Sequence, residues 1–165
     1  MAPVSTTNGV QLRDVSPSDL DTFFLHQTDD LANRMAAFTA EDPRDRGAFQ
    51  RHWDQILSDN NSRKQTVVWR GTVAGYVTSF ELFGKPSIAY WVGREFWGQG
   101  IATAAVKLFL RMLPGRPIFA RVAADNLGSV RVLEKSGFKR AGVERSYASA
   151  RRSEIEELIF RLGEV

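Results

Sequence analysis

The stretch that decides the fold reads Tyr90-Trp91-Val92-Gly93-Arg94-Glu95-Phe96-Trp97-Gly98-Gln99-Gly100-Ile101-Ala102-Thr103. An apolar strand empties into a glycine-rich turn, and the turn opens an amphipathic helix. Gly98 and Gly100 carry no side chain, so an anion can come close to the backbone there. The first amides of the helix lack intrahelical acceptors and point at such an anion with the helix dipole behind them. Taken alone, Gly-x-Gly is equally served by chain geometry, since two turn glycines between a strand and a helix need no ligand.

Further along, Ala123-Ala124-Asp125-Asn126-Leu127-Gly128-Ser129-Val130-Arg131-Val132-Leu133-Glu134-Lys135-Ser136-Gly137-Phe138 is a second strand end feeding a second short helix. Together the two motifs resemble the acyl-CoA-dependent GNAT acyltransferase superfamily, in particular its RimJ/RimL-like branch, which includes acetylases of ribosomal-protein amino termini. The resemblance runs over roughly residues 10 to 162, with both motifs in the family's order and spacing. It implies a single α/β domain of the α+β type, with a mixed, mostly antiparallel sheet flanked by helices. Two central strands splay apart at their carboxyl ends, and the pantetheine arm of coenzyme A lies in that gap. Residues 1–9 are then a short amino-terminal tail and residues 10–165 the N-acetyltransferase domain.

Composition agrees with one domain. A chain of 165 residues buries most of its apolar surface without staples. The chain has no Cys, which removes thiolate nucleophiles, disulfides and thiolate zinc sites and fits a reducing compartment. The amino terminus shows no basic and apolar leader pattern, and no apolar run approaches the length of a membrane span. A cytoplasmic protein with no membrane partner is expected. The net charge of +3 is spread over scattered Lys and Arg, so no nucleic-acid partner is expected, and a multiply anionic ligand suits the balance.

The rest of the chain supplies the scaffold. Val10 to Val15 reads as a strand, and Ser16-Pro17 as an N-cap with proline at the first helical position, before a helical face of Leu20, Phe23 and Phe24. Phe49, Trp53, Ile56 and Leu57 make Asp45 to Leu57 an amphipathic helix. Asp29 to Pro43 shows no clean period and reads as irregular or partly helical. Thr66 to Trp69 and Val73 to Leu82 form a β-hairpin about Arg70-Gly71-Thr72, and Phe83-Gly84-Lys85-Pro86 turns the chain into the strand Ile88 to Val92. A helix from Ile101 to Met112, a strand from Ile118 to Ala123, a helix from Leu127 to Ser136, and strands from Lys139 to Glu144 and Glu154 to Leu162 complete the order β, α, α, β, β, β, α, β, α, β, β. That order is an α/β sandwich with a mixed sheet.

Acyl transfer from a thioester to an amine needs a neutral amine, stabilisation of the tetrahedral oxyanion, and a partner for the leaving thiolate. The resemblance implies that the amides at Gly98, Gly100, Ile101, Ala102 and Thr103 cradle the pyrophosphate, with Trp97 opening that motif as is usual in the RimJ/RimL branch. It implies an oxyanion donor on the preceding strand near Trp91 or Val92. Asn126 is a natural N-cap, and by resemblance it also meets the pantetheine amide. Ser129 lies where relatives place the hydroxyl that serves the thiolate; a serine there also simply solvates a helix end. Arg131 and Lys135, four apart, face either nucleotide phosphates or water.

The general base is the least legible part. Glu81, Glu144, Glu154, Glu156 and Glu157 are candidates; the family's acidic position on the last strand matches Glu156, and Glu81 ends the hairpin strand. Each is also an ordinary surface carboxylate, and many relatives use an ordered water instead. His26 and His52 are given no role, and no metal site is expected. The sequence thus points to an acyl-CoA N-acyltransferase, with acetyl-CoA as cosubstrate, working by direct attack in a ternary complex. The acceptor is a protein amino terminus or a small-molecule amine, its wall built from residues 29–43 and the final hairpin. The alternative is a non-catalytic acyl-CoA-binding or sensing module. Monomer or homodimer stays open.

Overall fold

The computed structural model describes residues 6–164. Residues 1–5 of the expected tail, and Val165, lie outside the described residues. Of the rest of that tail, Thr6 and Thr7 are already strand, and Asn8 and Gly9 turn the chain into the next one. Strand β1 (Thr6–Thr7) pairs antiparallel with β2 (Val10–Asp14). Helices α1 (Asp19–Gln27), α2 (Asp30–Ala36) and α3 (Arg46–Ser58) come next, then β3 (Lys64–Trp69), β4 (Thr72–Leu82) and β5 (Lys85–Val92). After one 3₁₀ turn at Arg94–Phe96, the chain forms α4 (Ile101–Met112), β6 (Ile118–Ala123), α5 (Leu127–Lys135), β7 (Lys139–Ala148) and β8 (Ser153–Leu162).

Two elements go beyond the order expected from periodicity. Strand β1 is too short to show a period. Helix α2 is made by its cap: Asp29 is extended, and its carboxylate accepts from the Ala32 N–H at 2.9 Å, which starts a helix inside the stretch read as irregular or partly helical and makes it partly helical. The start of α1 also differs. Ser16 does not cap it; the Asp19 carboxylate reaches back to the Ser16 N–H at 2.8 Å, while the Asp19 N–H donates to Ser16 O. Strand β7 runs on to Ala148, past the expected end at Glu144, because it stays in register with β8 as far as Ser153.

Among the described residues the sheet has eight strands, in the order β1-β2-β3-β4-β5-β6-β8-β7. Every neighbouring pair is antiparallel except β5 and β6, which share one parallel register point, Ser87 with Phe119. Beyond it β5 continues to Val92 and β6 to Ala123 without pairing to each other, so the two strands diverge toward their carboxyl ends. Helix α4 covers one face with Ile101, Ala105, Leu108 and Phe109 against Val67, Val77, Ile88, Ala120 and Phe160. On the other face α1 and α3 pack Phe23 and Trp53 against Tyr76, with ring centroids 5.1 and 4.8 Å from the tyrosine.

A buried carboxylate ties this second layer to the sheet. Asp19, 3% exposed, accepts from both terminal guanidinium nitrogens of Arg13 at 2.7 and 2.8 Å, from the Ser16 N–H, and from the Thr66 hydroxyl at 2.7 Å. Burial raises the pKa of this carboxyl, but the hydrogen bonds from Arg13, Ser16 and Thr66 outweigh it and hold it below the usual aspartate range. The folded chain therefore binds fewer protons at this site than the unfolded chain. The stabilisation is fully present above the ordinary aspartate pKa, about 3.9, and is lost as pH falls through the lower folded value. Asp19→Asn is expected to lower the stability at pH 7 by roughly 1–3 kcal/mol, the cost of a hydrogen-bonded charge partner. The difference from wild type should narrow in thermal melts as the pH is brought from 7 to 3.

Candidate functional site

The diverging ends of β5 and β6 open into a cleft of about 480 Å³. Its walls hold Trp91 and Val92 of β5, Trp97, Gly98 and Gly100 of the loop, Ile101, Ala102 and Thr103 of α4, and Asn126, Ser129 and Arg131 at the start of α5. Residues from two motifs well apart in the chain are thus brought together because both parallel strands end at the same gap. Among the described residues that line it, Arg131 and Lys135 are the only charged side chains.

The loop has donors to offer. Gly100 is the N-cap of α4 in the left-handed region at φ 76°, and the first N–H to close an intrahelical bond is that of Ala104, on Gly100 O at 3.0 Å. The amides of Ile101, Ala102 and Thr103 precede it and have no carbonyl of their own helix to bond. Trp97 is not idle: its indole N–H donates to Val92 O at 2.9 Å and pins the loop to the end of β5. Successive strand residues point their backbone polar groups to opposite edges. Gly93 gives its N–H to Ala74 O on the β4 side at 2.9 Å, so Val92 presents its N–H to the gap. Gly75 allows this approach of β4, since a Cβ there would collide with the Trp91 carbonyl.

At the other wall Asn126 caps α5, its side-chain oxygen accepting from the Ser129 N–H at 3.2 Å. The Ser129 hydroxyl lies 2.5 Å from the phenol oxygen of Tyr90, a β5 residue to which neither motif assigns a role. Burial pushes the Tyr90 phenol up to about 12, with the Ser129 hydrogen bond pulling the other way. Tyr90 alternates with Trp91 along β5 and falls on the face of Val92; that periodicity is the one signal for it. Ala32, Met35 and Ala36 of α2 also line the cleft; they fall within the 29–43 segment expected to wall the acceptor side, although no motif singles them out.

The carboxylates stand elsewhere. Glu81 pairs with Pro86 at the far end of β4, away from the Gly75 with Val92 end, and is exposed. Glu156 is exposed on β8, opposite Arg145, and neither lines the cleft. Glu144 and Glu157 share one nitrogen of Arg121, at 2.9 and 3.0 Å, and the hydrogen bond from Arg121 holds the Glu144 carboxyl below its usual range. His26 is buried beside Glu95, its Nε2 3.4 Å from the carboxylate, outside the cleft. Among the described residues no cluster of three or more His, Cys, Asp or Glu is gathered for a metal ion, and no helix is long and apolar enough to cross a membrane.

The segment 29–43 and the final hairpin do meet. Arg151, in the turn between β7 and β8, donates to both carboxylate oxygens of Asp125 at 2.9 and 2.8 Å and to Arg34 O in α2 at 2.7 Å. The Ala150 N–H reaches Ala37 O at 3.1 Å. One guanidinium thus joins α2, the hairpin turn and the residue just before Asn126.

The family model of the acetyltransferase (GNAT) domain matches residues 10–139. The protein described as the uncharacterized N-acetyltransferase p20 of Bacillus licheniformis is 31% identical over 83 residues, which is 48% of this chain and 47% of that protein; the chain spans about half the length of this curated relative. RimJ of Mycobacterium smegmatis, solved in complex with CoA-disulfide, shares the fold with a TM-score of 0.78 at 22% identity, over 98% of this chain and 85% of that one. The spermidine N-acetyltransferase of Vibrio cholerae, solved with CoA and spermine, does so with a TM-score of 0.74 at 18% identity, over 94% and 96%.

Gly100→Val tests the loop. A β-branched residue at positive φ costs about 1–2 kcal/mol, and the displaced amides would no longer converge on an anion. The variant is expected to stay folded by circular dichroism and to lose most of its affinity for coenzyme A in titration calorimetry.

Proposed function

The chain belongs to the acetyltransferase (GNAT) domain family, and from that premise we propose that it is an N-acetyltransferase that moves an acetyl group from acetyl-CoA to a primary amine by direct attack in a ternary complex. One observation carries this reading: every residue that the resemblance pairs with acyl-CoA lines one cleft between β5 and β6. In the proposed complex the pyrophosphate meets the amides of Gly98, Gly100, Ile101, Ala102 and Thr103, beside Trp97. Arg131 faces the nucleotide phosphates, and the pantetheine arm runs along Trp91 and Val92 to Asn126. A wall charged only by cations suits a ligand with several negative charges.

The reaction follows from the same groups. The amine lone pair forms a C–N bond to the thioester carbonyl carbon, and the Val92 N–H receives the oxyanion, where a preorganised donor acts most strongly. The C–S bond then breaks with its electron pair on sulfur, which the Ser129 hydroxyl solvates. With Glu81 and Glu156 away from the cleft, and Glu144 and Glu157 held by Arg121, an ordered water takes the ammonium proton to solvent. The acceptor enters past α2 and the β7–β8 turn. A protein amino terminus, as in the RimJ/RimL branch, and a small amine are both compatible with this fold, because the fold alone does not choose a substrate. A cytoplasmic location goes with this reading.

Two measurements test it. Acetyl-CoA at about 100 times its Kd should stabilise the protein by roughly 2.7 kcal/mol, read as a rise in melting temperature, and a panel of peptides and small amines should elicit thiol release. A melting shift without thiol release on any amine would make the protein an acyl-CoA-binding module. Ser129→Ala should lower kcat about 10²-fold, the scale of one preorganised hydrogen bond to developing charge, while acetyl-CoA affinity in calorimetry stays near wild type.

A further inference from the structure

Ser129 is held at two points, its amide by Asn126 and its hydroxyl by Tyr90. The phenol oxygen lies 2.5 Å from the Ser129 Oγ and 3.3 Å from the Ser129 carbonyl oxygen. Each hydroxyl owns one proton, and the short contact consumes one of the two. A phenol is the more acidic group and the better donor; an aliphatic hydroxyl is the better acceptor. When the phenol donates, the serine proton is left free. It is then free to turn from the phenol toward the cleft that both residues line.

Resting on the acyltransferase reading of the cleft, we propose that Tyr90 is a positioning residue: it donates to the Ser129 Oγ and so aims the Ser129 O–H at the departing sulfur. A hydroxyl that accepts one hydrogen bond donates the next one more strongly, an effect that a water-poor site enlarges. Bond by bond, C–N forms, C–S breaks with its electrons on sulfur, and the ammonium proton goes to water. Ser129 and Tyr90 both keep their protons; the thiolate takes its proton from solvent after release. Burial pushes the phenol pKa up to about 12, so near neutral pH the phenol keeps the proton it donates. The opposite polarity, serine donating to the phenol and the phenol to Ser129 O, would leave no proton for the sulfur.

The test uses the full chain as wild type, Tyr90→Phe, Ser129→Ala and the double variant, with acetyl-CoA and the best amine of the panel. Tyr90→Phe should lower kcat roughly 10-fold to 100-fold, the worth of one hydrogen bond to a charged group, with the acetyl-CoA KM nearly unchanged. The double variant should be no slower than Ser129→Ala, because the phenol acts only through the serine. Losses that multiply, or a Tyr90→Phe enzyme as fast as wild type, would overturn the proposal. Should Tyr90→Phe melt early, 3-fluorotyrosine at position 90 decides: an isosteric and stronger donor keeps or exceeds wild-type kcat, and a fall there would also overturn it. A wild type that releases no thiol from acetyl-CoA with any amine brings down the acyltransferase reading itself and this proposal with it, whereas an active wild type with an unaffected Tyr90→Phe brings down Tyr90 alone.

Discussion

The structure depends on a parallel strand pair that closes at one point and then opens. Past Ser87 and Phe119, β5 and β6 each keep a row of backbone N–H and C=O groups with no partner strand between them. Such groups must find partners or face solvent. The chain answers with local substitutes, such as the Trp97 indole on Val92 O, and leaves the remainder facing a gap. Both strands run on into helices, so the amino termini of α4 and α5 converge on the same opening. Ligands gather at the carboxyl ends of parallel strands for this reason.

The two walls then divide the work. The α4 side offers backbone donors, fixed by a helix start at Gly100 that has no side-chain cap. The α5 side offers side chains, with Asn126 occupied as a cap and Ser129 bound to Tyr90 across 39 residues of sequence. Among the described residues no carboxylate lines the cleft, and the Glu144 and Glu157 pair is neutralised in part by Arg121. On the acyltransferase reading proposed above this arrangement is favourable, because a free carboxylate beside the phosphates would oppose the ligand's own charge. The Arg151 clamp on Asp125 and Arg34 O fixes the third wall without placing an acid in the cleft.

Local chemistry was readable in the chain. The glycine loop, the strand entering it, the Asn126 cap and the apolar faces of α3 and α4 are written in spacings of a few residues, and the structure reproduces them because side-chain alternation and helical period are local properties. Boundaries were less readable. Ser16 has the look of a cap, but α1 starts at Asp19 after Ser18 with no side-chain cap, and the Asp19 carboxylate is held instead by Arg13, the Ser16 N–H and Thr66, the last of these 47 residues away. Helix α2 is foreshadowed only as a partly helical stretch without bounds, because a seven-residue helix shows barely two turns of period and its Asp29 cap resembles any loop aspartate.

What the sequence by itself determined is the local form of the site: a glycine-rich loop after a strand that opens a helix with unpaired first amides, and a capped helix carrying a serine one turn in. Tertiary structure decided which residues meet there. Strand register put the Tyr90 phenol against Ser129, sent Glu81 to the far end of β4 and turned Glu156 to solvent, while the fold of residues 29–43 supplied Ala32, Met35 and Ala36 as a wall. The physical reason is that hydrogen-bond register and packing join residues distant in the chain, and those energies appear only when the strands are side by side.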